Sequence, residues 1–104
     1  MNWNNIVNEA IASRHWFHQH PELTWQEKNT AARIRQVLTE WQIPWRPCAE
    51  HGSVATLAPH AGGEHLALRS DMDALPIQEA NEVSYASQVP GVMHACGHDV
   101  HVAC

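Results

Sequence analysis

The sequence predicts an α/β fold, with helices packed on a mixed sheet. Three observations support this. Two early stretches carry apolar residues at helical spacing, two short apolar runs of strand character follow, and a helix-start signal stands near the last residues.

Residues 4–18 are the first predicted helix. Ile6, Val7, Ala10 and Ile11 recur at helical spacing, with Arg14 next on that face. Pro21 disfavours helix at His20, so the segment ends near His18. The second helix opens on Thr24-Trp25-Gln26-Glu27. This has the form of a capping box, in which Thr24 and Glu27 satisfy free backbone N–H groups. Its apolar face runs through Ala31, Ile34, Val37, Leu38 and Trp41, and Pro44 ends it. Residues 54–57 then form a short strand, 60–63 a turn, and 66–68 a second strand that runs into Arg69-Ser70-Asp71-Met72-Asp73. Residues 78–90 are polar and irregular. Asp99 is placed to cap a last helix that Cys104 stops after little more than one turn. So short a helix is not stable alone, and the sequence reads as interrupted.

At 104 residues the chain fits one small domain or part of a larger one. Apolar residues make up 44% and charged residues 16%, a globular rather than a disordered balance. The formal charge is −5 with no basic run, which argues against a nucleic-acid surface. The apolar stretches are too short to span a bilayer, and the first residues lack the pattern of a secretory signal. Three widely spaced cysteines are no disulfide framework, and free thiols point to the cytoplasm. Cys48 and Cys104 read as apolar fillers, and Trp3, Trp16, Trp25, Trp41 and Trp45 as core.

The nine histidines are the informative residues, because imidazole is the commonest metal ligand. In Cys96-Gly97-His98-Asp99-Val100-His101, a thiolate and an imidazole two residues apart can reach one divalent ion if the backbone turns at Gly97. That donor pair suits zinc and other late first-row metals. Asp99 and His101 could orient those ligands by hydrogen bonds, or one could itself be a ligand. Ordinary loop residues are the other reading, and two ligands do not fill a four-coordinate site. In Arg69-Ser70-Asp71-Met72-Asp73-Ala74-Leu75-Pro76, two carboxylates leave the end of an apolar strand. They can support a metal cluster or hold a histidine, or Asp71 can simply pair with Arg69. His15, His18 and His20 read as surface or packing residues rather than ligands, and His51, His60 and His65 as solvated.

Together, His18-Gln19-His20-Pro21-Glu22-Leu23, the Asp71–Asp73 motif and His94-Ala95-Cys96-Gly97-His98-Asp99-Val100-His101 resemble the amidohydrolase branch of the aminoacylase-like dinuclear metallopeptidases. This group includes hippurate hydrolase, N-acyl-amino-acid amidohydrolase and auxin-conjugate hydrolase. The resemblance covers nearly the whole chain. It implies that residues 1–104 are the N-terminal portion of a zinc-peptidase-like catalytic domain. The rest of that domain, and an inserted domain for dimerisation and closure over substrate, would lie outside them. It implies hydrolysis of the amide bond of N-acyl amino acids with two divalent ions, zinc, manganese or similar, and a homodimer at full length. Cys96 and His98 match the first two metal ligands. Asp73 matches an aspartate that supports the metal centre. Asp71 stands where related peptidases carry a metal-binding histidine, so it is not assigned as a ligand. The family's general base, a glutamate in a Glu-Glu pair, has no counterpart here, so the isolated chain is expected to be inactive. Two other readings stay open: a stand-alone metal-binding module, and a non-catalytic interaction domain.

Overall fold

The computed structural model describes residues 2–104. Helix α1 spans Trp3–Gln19, and Asn2 caps it by accepting from the backbone N–H groups of Asn4 and Asn5 at 3.0 and 3.4 Å. It stops at His20, the residue that Pro21 restricts.

Helix α2 spans Lys28–Glu40. The expected capping box is not what starts it. Thr24 Oγ1 donates instead to Asp73 Oδ2 at 2.6 Å, and Glu27 Oε1 accepts from the Trp25 backbone N–H at 2.7 Å. The cap comes from Glu22. Its two carboxylate oxygens accept from the backbone N–H groups of Asn29 and Thr30, and from Thr30 Oγ1 at 2.7 Å. A carboxylate at that position satisfies free donors and meets the positive end of the helix dipole. The Glu of the His-Pro-Glu motif is thus a helix cap acting across a loop.

Strands β1 (Trp45–Cys48) and β2 (Gly52–Ala55) form an antiparallel hairpin, with Trp45 opposite Ala55 and Cys48 opposite Gly52. The sequence reading missed β1 and placed β2 two residues late. Arg35 of α2 clamps the hairpin. Its Nε donates to Ser53 Oγ at 2.8 Å, its Nη2 donates to the carbonyls of Glu50 and Gly52, and its guanidinium lies over the Trp45 ring.

Residues 66–68 do not form the expected strand, and Leu66 and Leu68 are 87% and 91% exposed. A strand needs a hydrogen-bonded neighbour, and none of the described residues pairs there. Parallel and antiparallel pairing appear a few residues later, as single bridges from Leu23 to Ala74 and from Leu75 to Met93. Ala74 N donates to the Glu22 carbonyl at 2.8 Å, while Leu75 and Met93 exchange two bonds at 2.9 and 3.0 Å. This pairing carries Asp73 to the segment that leads through His94 to Cys96.

Helix α3 spans His98–Ala103 and packs on α1. Gly97, at φ +109°, occupies the cap position expected for Asp99, which lies inside the first turn. The buried apolar residues are Phe17, Pro21, Ala31 and Ala74, and five polar residues are buried with them: His18, Glu27, Thr30, His94 and Asp99. The tryptophans are not the core expected of them. Trp3, Trp25 and Trp41 are largely exposed and Trp16 and Trp45 half-buried. Cys48 and Cys104 are exposed rather than filling apolar space. Among the described residues no helix is long and apolar enough to cross a membrane.

Candidate metal centre

Gly97 makes the turn between Cys96 and His98. Its left-handed backbone is easy for glycine and unfavourable for a residue with a Cβ. Cys96 is exposed and His98 half-buried, so both can be reached from outside.

The His98 ring is oriented by Asp73. Its Nδ1 lies 3.0 Å from both the Asp73 carbonyl oxygen and Asp73 Oδ1. Both oxygens only accept, so Nδ1 carries the proton and Nε2 keeps its lone pair. Among the described residues Nε2 has no hydrogen-bond partner. This is the arrangement of a metal-ligating histidine, in which the second ring nitrogen donates to a carboxylate or carbonyl. Hydrogen bonding from Thr24 holds the Asp73 carboxyl below its ordinary value. Burial opposes this shift, and its own backbone N–H and His98 add to it. Asp73 is thus ionised where it meets the ring.

The other carboxylates go elsewhere. Asp71 is exposed and pairs with Arg69 at 2.7 Å, so the two aspartates do not share a site. Asp99, a candidate for orienting Cys96 or His98 by a hydrogen bond or for being a ligand itself, turns its carboxylate to α1. It is 1% exposed, and its Oδ2 accepts from Arg14 Nε at 2.9 Å and meets His18 Nδ1 at 2.8 Å. His101 is exposed beside Gly97, with its ring nearest to where a Cβ at position 97 would lie. Among the described residues no three His, Cys, Asp or Glu side chains converge on one point. Cys96 and His98 have the chemistry of metal donors, and among the described residues no third such group completes a set with them.

Behind this loop lies a buried polar network that the sequence reading did not foresee. His18 Nε2 is 3.0 Å from both carboxylate oxygens of Glu79. Glu79 also accepts from the backbone N–H of Ser87 at 2.6 Å and from Asn81 Nδ2 at 3.1 Å. Burial raises the carboxyl pKa of Glu79 and of Asp99, but hydrogen bonds and nearby cations outweigh it and leave both below their ordinary values. Arg14 and His18, one turn apart on α1, were the available signal, since that spacing puts two cationic or donor groups on one face. Glu79 sits in the polar stretch 78–90, where no periodicity marks it.

His94 is 4% exposed, its Nε2 has no partner among the described residues, and burial holds its pKa below the ordinary value. A cavity of about 390 Å³ runs past Arg14, His18, Glu79, Tyr85, His94 and Asp99. A larger one, about 630 Å³, lies between Trp16, Pro21, Leu23 and Arg33 and is lined by neither Cys96 nor His98. His15 stacks on Tyr85, and His20 stacks on Trp16 and donates to its carbonyl. Both are packing residues.

Residues 67–104, which hold the Asp73, Cys96 and His98 cluster, match the sequence profile of peptidase family M20/M25/M40. Over these residues the chain is similar to that family. Its similarity extends beyond the matched residues. It is 43% identical to the N-acetyl-L-cysteine deacetylase of Bacillus subtilis, over 99% of this chain and 25% of that protein. It is 42% identical to the N-acyl-L-amino acid amidohydrolase of Geobacillus stearothermophilus, over 94% of this chain and 27% of that protein. The fold is similar to the crystal structure of the Bacillus subtilis YXEP protein, a dinuclear metal-binding peptidase of the M20 family. The TM-score is 0.90 and the identity 41%, over 96% of this chain and 29% of that one. The α/β class predicted from the sequence is thus that of an M20 peptidase domain. The chain spans about a quarter of the length of the curated relatives it matches.

Proposed function

We propose that this chain is part of an M20 peptidase and supplies two metal ligands, Cys96 and His98, to a dinuclear hydrolase site that cleaves the amide bond of N-acyl amino acids. The observation that carries this reading is the orientation of His98 by Asp73, which leaves Nε2 free beside the Cys96 turn. Asp73 acts by holding the ring and its tautomer. It is the residue of this chain closest to a catalytic role. A bound pair of divalent ions, zinc, manganese or similar, supplies Lewis acidity and a nucleophile at neutral pH. Cys96 and His98 bind and place such an ion. The remaining ligands, the general base and the acyl pocket belong to residues outside these 104, so the chain alone is inactive. The substrate class follows the relatives named for N-acyl amino acids, and a homodimer is proposed for the longer protein. The unpaired cysteines support a reducing, cytoplasmic setting.

The test is calorimetric titration of the chain with zinc, beside a Cys96→Ser, His98→Ala double variant. Micromolar or tighter binding that the variant loses is the expected result. Binding that survives in the variant would remove both residues as ligands and point to the other histidines.

A further inference from the structure

We infer that His18 is a positioning residue for the metal-binding turn, acting through Asp99. The inference rests on the assignment of Cys96 and His98 as ligands. Asp99 follows His98 directly and is the most deeply buried residue of α3. A six-residue helix does not hold itself in place, so its direction is set by what its side chains grip. Asp99 grips α1 through His18 Nδ1 and Arg14 Nε.

The His18 ring is itself held at both ends. Asp99 Oδ2 faces Nδ1 and the Glu79 carboxylate faces Nε2, at 2.8 and 3.0 Å. Carboxylates only accept, so both contacts are hydrogen bonds together only when both ring nitrogens carry protons. The ring thus links Asp99 to Glu79, and Arg14 joins the set at Asp99. His18 is 3% exposed. Such a closed, buried set permits one geometry and resists drift. Asp73 fixes the ring of His98, and His18 with Asp99 fixes the backbone that carries it. The two anchors come from distant segments, α1 and the Ala74 bridge.

The experiment compares the 104-residue chain with His18→Gln, Asp99→Asn and, as a control remote from the loop, Arg35→Gln. Cobalt(II) is the probe, read by the near-ultraviolet cobalt–thiolate absorption that Cys96→Ser should abolish. Amide hydrogen exchange is followed over residues 97–104. Glutamine at position 18 cannot donate to both carboxylates. The expected result for His18→Gln is cobalt affinity weakened roughly tenfold to a hundredfold, with a shifted absorption band. Exchange at residues 97–104 should rise about tenfold while α2 keeps its protection. Arg35→Gln should loosen the hairpin and leave cobalt affinity within about twofold. If His18→Gln loses its helical circular dichroism, the isosteric Asp99→Asn carries the comparison. Unchanged cobalt affinity in the folded variant would overturn the inference and leave the ligands assigned. A parent chain without a Cys96-dependent band would overturn the ligand assignment, and this inference with it.

Discussion

His98 Nδ1 sits 3.0 Å from Asp73 Oδ1 and 3.0 Å from the Asp73 carbonyl oxygen, so one residue meets the ring through both its side chain and its backbone. The carbonyl contact survives any substitution at 73, whereas the carboxylate contact does not. Asp73→Ala should weaken zinc binding roughly tenfold, at the low end of what losing such a partner costs. Asp73→Asn should cost less, because its amide oxygen still accepts. Titration calorimetry on both variants checks this. Equal affinities for Asp73→Ala and the parent would show that the carbonyl alone holds the ring.

Glu22 should matter to stability rather than to metal affinity. It caps α2 across a loop, through the N–H groups of Asn29 and Thr30 and the buried Thr30 hydroxyl. Glu22→Ala should destabilise the chain by about 1–2 kcal/mol in urea denaturation, since it leaves free helix donors and a buried hydroxyl unpaired. Thr24→Ala should leave the helix end intact, because Thr24 bonds Asp73 rather than α2.

At Gly97 there is room for a methyl group. The nearest atoms to an added Cβ are His101 Cε1 and Nε2, at 3.8 and 4.0 Å. The cost of Gly97→Ala is therefore conformational and comes from φ +109°. It should destabilise the chain by about 1–3 kcal/mol, measured by thermal unfolding. Because the turn separates Cys96 from His98, cobalt absorption should weaken with it. A variant with unchanged stability would mean that the turn adopts another conformation at no cost.

Acid should loosen the network around Glu79. Its folded pKa lies below the ordinary value of 4.5, because the Ser87 N–H, His18 and Asn81 together outweigh burial. The unfolded chain then binds the proton more readily. The stabilisation is fully present above 4.5 and is lost as pH falls through the lower folded value. Urea denaturation across this range should show stability falling with pH, and Glu79→Gln should flatten that dependence.

Much of the helical framework was legible locally. The apolar spacing of residues 4–18 and the stop at Pro21 located α1 to within a residue or two, and Cys96-Gly97-His98 announced a turn with two donors. Caps were harder to read. Thr24 and Glu27 have the right types at the right spacing, yet Glu22 reaches the same donors from further back. Capping needs an acceptor near the N–H groups, and a loop can deliver one from several positions. The exposed tryptophans and Leu66 and Leu68 defeated the burial expectation for another reason. Apolar character calls for a partner surface, and the 104 residues supply few.

Residue types and short spacings alone were enough to indicate the α/β class and the family resemblance, and to single out Cys96 and His98 as candidate ligands. All of these are written in neighbouring positions. The tertiary structure decided which carboxylate serves which histidine. Asp73 meets His98 across 25 residues, and His18 meets Asp99 across 81. Asp71 and Asp73 look equivalent in sequence, but the pairing of Ala74 with Leu23 and of Leu75 with Met93 brings Asp73 to the ring, while Asp71 stays exposed with Arg69. A hydrogen bond depends on fractions of an ångström between groups that chain folding alone brings together, and no periodicity along the sequence encodes that distance.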